Sequence, residues 1–263
     1  LVVTAVSRKN AIQDDGKSYT VMITIPAQLK VESKVGFDVQ IVNVSAKNTT
    51  IQSWNDYTNK QEESTMNLGT LLMKPLPKTL DIKKGTITVD RVKDAIWDTV
   101  EPIPMTVNTM GVTEDDSQFR ALWDDDYLYV LIEVKDSLLN DKNANPWEQD
   151  SVEIFIDQNN RKTTSYEADD AQYRVNFKNQ KTFNGGDEEQ FHSSTRIVLG
   201  GYWVEVAIPF THIKPKAGNL IGFDVQINEA DASGSRIGIR NWYNNTNMGY
   251  KDTSGLGIAR LIE

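Results

Sequence analysis

Short stretches of alternating apolar and polar residues recur along this chain. In Tyr127–Lys135, Leu128, Val130, Ile132 and Val134 fall on one face. Ser151–Asp157 sends Val152, Ile154 and Ile156 one way and Glu153 and Phe155 the other. Gln172–Phe177 groups Tyr173, Val175 and Phe177 opposite Arg174. Tyr202–Ile208 alternates likewise, and Ile221–Ile227 sets Asp224 and Gln226 against Phe223, Val225 and Ile227. A strand points successive side chains to opposite faces, so each stretch predicts a β-strand with one buried face. Turn formers separate them at Asp124–Asp126, Gln158–Asn160, Gly185-Gly186, Gly200-Gly201 and Lys216–Gly218. No long stretch keeps a helical apolar period. Many short strands with frequent turns predict an all-β fold, an antiparallel β-sandwich of jelly-roll type.

The pattern also repeats. Tyr19–Pro26 resembles Tyr202–Pro209, and Gly36–Ile41 recurs identically at Gly222–Ile227. Ser53–Asn59 parallels Asn241–Asn247, and Leu68–Leu72 parallels Leu256–Leu261. The spacing drifts from 183 residues at Tyr19 and Tyr202 to 188 at Leu68 and Leu256, as loop insertions produce. Residues 1–73 match only the C-terminal portion of this unit, and residues 79–263 form the complete one. Residues 74–88, with Pro75, Pro77 and a lysine-rich stretch, read as linker and lead-in. Half a sandwich leaves an apolar face and strand edges uncovered. Residues 1–73 therefore read as a truncated neighbour, the alternative being a small independent β unit.

Composition removes several function classes. The net charge is −9 and the Lys and Arg residues are scattered, whereas nucleic acid or an anionic membrane surface calls for a clustered basic face. No apolar stretch approaches the 18 residues or so that a spanning helix needs. Cysteine is absent, which excludes disulfides, Cys-zinc sites and thiol nucleophiles. Residues 1–10 lack the basic start and apolar run of a secretory leader.

Two aromatic residues fall outside the strand pattern. Trp147 lies in the Pro-containing loop Asn145–Asp150, and Tyr250 in the polar loop Asn245–Asp252. Both are expected to be exposed, while Trp97, Trp123, Trp203 and Trp242 lie in or beside apolar strands and are expected in the core. A pyranose ring has apolar C–H faces and a rim of hydroxyls. Flat rings suit the faces, and planar multidentate side chains suit the rim.

The segments Trp123–Leu131, Asn145–Asp157, Asp170–Asn176, Gly222–Asn228 and Arg236–Ile239 together resemble carbohydrate-binding module family 9. The resemblance covers residues 79–263, and residues 1–73 resemble the end of a second copy. It implies a non-catalytic, secreted or cell-surface bacterial module, covalently linked to an endo-1,4-β-xylanase catalytic domain. Its implied ligands are terminal, reducing-end sugars of xylan and cellulose, and small sugars such as cellobiose, xylobiose and glucose. The family's aromatic clamp maps onto Trp147 and Tyr250; the second is usually Trp, so this chain departs from the pattern with a smaller flat face. The family's polar positions map onto Glu153, Arg174, Gln226 and Asn247, with Arg236 as a further candidate. The resemblance also implies structural calcium, for which Asp136, Asp150, Asp157, Asp169 and Asp170 are candidates, each with the alternative of a solvated turn carboxylate. Residues 1–73 keep Gln40, Trp54 and Asn59 but have no aromatic where Tyr250 would fall, and are expected to bind no sugar.

Two other classes compete. A small glycan hydrolase needs paired carboxylates across a cleft, and 37 acidic residues supply chance pairs anywhere. A Ser-His-Asp hydrolase would have only His192 or His212 to use, with no Gly-x-Ser-x-Gly elbow. A surface spacer without sugar binding is the competing reading for residues 1–73.

Overall fold

Each alternating stretch is a strand. The computed structural model describes residues 7–12, 19–24, 33–44, 49–55, 66–72, 77–111 and 116–263. By its contacts the chain separates into two units, Leu1–Leu76 and Pro77–Glu263.

The second unit carries β7 (Thr79–Lys84), β8 (Ile103–Pro104), β9 (Val107–Met110), β10 (Gln118–Trp123), β11 (Tyr127–Lys135), β12 (Ser151–Asp157) and β13 (Asp170–Asn176). It continues with β14 (Lys181–Gly185), β15 (His192–Val198), β16 (Gly201–Pro209), β17 (Leu220–Ala230), β18 (Arg236–Asn241) and β19 (Gly257–Ile262). Hydrogen bonds link them in the order β14-β13-β12-β17-β19-β7-β10-β11-β16-β15, with β18 joined to β17 and β9, and β8 to β10. The sheet curls on itself. Val152, Ile154, Ile156, Val175, Phe223 and Val225 pack in one cluster with Val130, Ile132, Val204, Val206 and Ile208 from the opposite layer. This is the β-sandwich that alternation predicts, because apolar residues at every second position can be buried only face to face.

One strand departs from the expectation. Residues 79–84 fall in the stretch read as linker and lead-in, yet they form β7, with Ile82 fully buried. It pairs parallel with both β19 and β10, so the sandwich is not purely antiparallel. The flanking lysines hide a short strand that buries Ile82 and, in part, Leu80, and no local pattern reports a parallel partner far away in sequence.

Residues 85–100 lie over the outer face of the β11–β16 layer. Ile87 and Trp97 pack there with Leu122, Tyr129, Leu131, Trp203 and Ala207. Trp97 Nε1 donates to Glu205 Oε1 at 2.8 Å. Trp97, Trp123, Trp203 and Trp242 are all buried, as their apolar settings predict.

The first unit carries β1 (Ser7–Ile12), β2 (Tyr19–Thr24), β3 (Lys34–Phe37), β4 (Gln40–Val44), β5 (Thr49–Ser53) and β6 (Gly69–Leu72). Its two hairpins, β1–β2 and β4–β5, and its long-range pair β3–β6 reproduce pairings of the second unit. Tyr19 opposes Ile12 and Thr24 opposes Ser7, as Tyr202 opposes Ile197 and Ala207 opposes His192. Phe37 opposes Gly69, as Phe223 opposes Gly257. Gln40 opposes Ser53, as Gln226 opposes Asn241. A Cβ on Gly69 would lie 2.3 Å from Trp54, and one on Gly257 would lie 2.3 Å from Trp242. The two tryptophans differ in cover: Trp54 is 55% exposed and Trp242 1%. Phe119 of β10 packs on Trp242 at 6.1 Å, and no described residue of the first unit takes that place.

Candidate functional site

The outward faces of β12, β13 and β17 carry the polar residues that alternation sets aside. Glu153 stands at the centre, opposite Arg174 on one side and Gln226 on the other. All three are on one face because directly paired residues on neighbouring strands point the same way. Arg174 Nε donates to Glu153 Oε1 at 2.8 Å, and Asn228 Nδ2 donates to the same oxygen at 2.7 Å. Gln172 Nε2 donates to Oε2. Gln226 Nε2 donates to Asn228 Oδ1 at 2.9 Å, and Arg236 Nη1 reaches that oxygen at 3.3 Å. The face is a tight network of planar side chains, each fixed by its neighbour.

This network floors a cavity of about 630 Å³. Trp147, Glu153, Arg174, Gln226, Arg236, Asn247 and Tyr250 all line it, so the seven residues singled out from sequence come together. Trp147 is 44% exposed and Tyr250 45%, consistent with rings available to a ligand. Phe155, Gln172, Phe183, Thr246, Met248 and Gly249 complete the wall. Of these, Phe155 and Gln172 share the outward face of Glu153 and Arg174 at spacing two, as Asn228 does with Gln226 in the network beneath. That period marks all three in the sequence. Phe183 and the loop residues carry no such signal.

Two loops hold the aromatic side chains. Trp147 sits in a short 3-10 turn, Pro146–Glu148, where proline at the first position matches the required backbone angle. Gln149 Nε2 anchors the turn to Asn143 O at 2.7 Å. On the other side, the loop after β18 passes through Asn247 in the left-handed region, φ 53°, which asparagine tolerates. Gly249 then lies flat on Phe155, where an added Cβ would meet the ring at 3.2 Å. Tyr166 donates its hydroxyl to Gly249 O, and Asn184 Nδ2 donates to Tyr250 O, both at 2.6 Å.

Among the described residues lining this cavity, Glu153 is the only carboxylate. A pair flanking a scissile bond, which glycoside hydrolysis requires, is absent from the lining. His192 and His212 are exposed and lie outside it. The arrangement is suited to holding a polar ring by stacking and hydrogen bonding.

The acidic candidates separate into two places. Asp157, Asp169 and Asp170 are buried together, with one oxygen from each within 4.8 Å of the others. Asp157 ends β12 directly opposite Asp170, which starts β13. Burial pushes the Asp170 carboxyl up to about 6, and the Asp157 and Asp169 charges act the same way. Three converging hard oxygens suit a hard divalent cation, so this trio fits a metal. Nearby, Lys162 Nζ is held by the carbonyls of Leu256 and Gly257. Asp150 and Asp136 are not part of the trio. Asp150 accepts the backbone N–H groups of Ala230 and Asn140, both at 2.6 Å. Its carboxyl is pushed up to about 7 by burial, with the Asp136 charge adding to the shift.

Known proteins share this design. The curated relatives include endo-1,4-β-xylanase A of Thermotoga maritima, 44% identical over 94% of this chain and 23% of its own length. Endo-1,4-β-xylanase A of Thermoanaerobacterium saccharolyticum is 41% identical over 95% of this chain and 22% of its own. The chain thus spans under a quarter of the length of these relatives. A solved carbohydrate binding module family 9 from Caldicellulosiruptor kristjanssonii, in complex with cellotriose, superposes with a TM-score of 0.68 at 38% identity, over 70% of this chain and 94% of that one. The same module in complex with glucose superposes equally well, at 38% identity over 70% of this chain and 95% of that one. The profile of the family described as carbohydrate family 9 binding domain-like matches residues 89–263, two-thirds of the chain, and the chain belongs to that family.

Proposed function

We propose that residues 77–263 bind the terminal sugar of a β-linked polysaccharide chain without cleaving it. The observation that carries this reading is the convergence of Trp147 and Tyr250 on one cavity, above the Gln226–Glu153–Arg174 row. The rings remove sugar C–H surface from water, and the row and Asn247 replace water at the hydroxyls. Hydrogen bonds exchanged with water give orientation more than net energy, and a ligand of one or two rings binds no tighter than about micromolar. Cellulose, xylan, cellobiose, xylobiose and glucose are the proposed ligands, with reducing ends preferred. The solved relatives bound to cellotriose and glucose support sugars of this class.

The xylanase relatives support a parent protein in which this module is covalently linked to an endo-1,4-β-xylanase domain; we propose that it acts outside the cell, where plant polysaccharide lies. Linkage would raise the effective concentration of the catalytic domain at its substrate. We assign calcium to the Asp157–Asp169–Asp170 trio as a structural ion. Residues 1–73 are proposed to be the C-terminal portion of a second module, on the strength of the three matched strand pairs. They would act as a spacer without sugar affinity, since no aromatic follows Asn59 where Tyr250 follows Asn247.

Calorimetric titration of the chain with cellobiose, xylobiose and glucose tests the reading. Wild type is expected to bind at one site with micromolar or weaker affinity. Trp147→Ala should weaken binding by about 30-fold or more, the loss of a central aromatic anchor of about 2 kcal/mol. Its melting temperature should barely change, because the ring is half exposed. Absence of sugar binding by the wild type, or unchanged affinity in Trp147→Ala, would overturn it.

A further inference from the structure

The charge of the cavity is opposite to that of the protein. The chain carries −9 overall, yet Arg174 and Arg236 line the cavity against a single carboxylate, Glu153. At the rim Lys251 lies over the Tyr250 ring, 5.4 Å from its centre, and Glu148 pairs loosely with Arg236 at 3.8 Å. Three cationic side chains therefore face two carboxylates.

The hydrogen-bonding capacity is skewed the same way. A carboxylate has roughly four lone-pair sites. Glu153 already receives Arg174 Nε, Asn228 Nδ2 and Gln172 Nε2. Asn228 Oδ1 receives both Gln226 and Arg236, and Gln226 Oε1 receives Asn241 Nδ2 at 3.3 Å. Glu153, Asn228 and Gln226 thus spend acceptor capacity within the protein. On the donor side, the Arg236 Nη2 group meets a carboxylate only at 3.8 Å, beyond hydrogen-bond distance. Such a cavity holds more cationic donors than anionic acceptors, which favours a ligand that brings acceptors and negative charge.

From this we infer that the site takes a sugar bearing a carboxylate in preference to the neutral sugar. The inference rests on the sugar-binding reading above and names the ligand class within it. Two sources share this chemistry: a chain end oxidised to an aldonic acid, and a uronic acid.

The test compares cellobiose, cellobionate and glucuronate by calorimetry, with glucose as the neutral partner of glucuronate, at about 20 mM and 500 mM salt. A charge-assisted hydrogen bond in place of a neutral one is expected to favour the acid about fivefold at low salt. The preference should shrink at high salt through screening. In Arg236→Gln the ratio of acid to neutral affinity should fall, whatever that substitution does to the neutral sugar. Preference for cellobionate alone supports the oxidised chain end, preference for glucuronate alone supports the uronic acid, and preference for both supports the carboxylate in either setting. Binding of cellobiose with neither acid preferred overturns the inference and leaves the sugar-binding reading standing. Failure of every sugar overturns both.

Discussion

The Tyr250 arm of the cavity depends on a hydroxyl outside it. Tyr166 donates to Gly249 O at 2.6 Å, one residue before the ring. Tyr166→Phe removes that donor and leaves the ring in place. A partly buried hydrogen bond of this kind is worth about 0.5–1.5 kcal/mol. If its role is to keep the loop in the conformation that binds sugar, affinity for cellobiose falls about two- to tenfold. The second tether, Asn184 Nδ2 to Tyr250 O, limits the loss in the single variant. The pair Tyr166→Phe with Asn184→Ala should therefore lose more than the sum of the two, because either tether alone partly holds the loop. Calorimetric titration of the four proteins of this cycle measures the coupling directly, and thermal melts check that each is folded. Kd values within 1.5-fold of wild type for all three variants, with the melts unchanged, would refute the idea that the tethers position the clamp.

Three further outcomes follow from other parts of the molecule. Chelation should destabilise the second unit: at 100 times its Kd a bound ion contributes about 2.7 kcal/mol, so EDTA is expected to lower the melting temperature by about 5–10 °C, reversibly on adding calcium. No change with EDTA would exclude a structural ion at the Asp157–Asp169–Asp170 trio. Burial pushes the Glu205 carboxyl from an ordinary 4.5 up to about 7, with Asp94 and Asp90 adding to it against the Trp97 hydrogen bond and the Lys93 charge. Its protonated form suits the site, so stability is full below pH 4.5 and about 3 kcal/mol of it is lost as pH rises to about 7. Glu205→Gln should be the more stable protein at pH 8 by about 2 kcal/mol and should lack this part of the pH dependence; parallel denaturant titrations of the two proteins from pH 5 to 8 check it. Gly257→Ala forces a Cβ to 2.3 Å from the buried Trp242 ring, an overpacking worth about 1–3 kcal/mol. The equivalent Gly69→Ala meets the exposed Trp54, which can swing away, and should cost under about 1 kcal/mol. Equal melting shifts in the two variants would contradict the difference in cover.

How much could be read before the fold was known differs sharply between residues. Leu128, Val130 and Ile132, or Val152, Ile154 and Ile156, announce their strands and their buried faces, because period two is a local property of a half-buried strand. The same period placed Glu153, Arg174 and Gln226 outward, and the repeat at Gly36 and Gly222 marked corresponding segments of the two units from residue identity alone. Trp147 and Tyr250 stood out because each interrupts a polar loop. What sequence could not decide is which strands neighbour which. That Glu153 lies between Arg174 and Gln226 is a matter of β12 pairing with β13 and β17 at one register, set by the packing of all inward faces together. The parallel insertion of β7, the grouping of Asp157 with Asp169 and Asp170 apart from Asp150, and the tethers from Tyr166 and Asn184 likewise join residues distant along the chain. Alternation is written into each segment, whereas adjacency arises only when two apolar faces close on each other and carry their polar backs to fixed places.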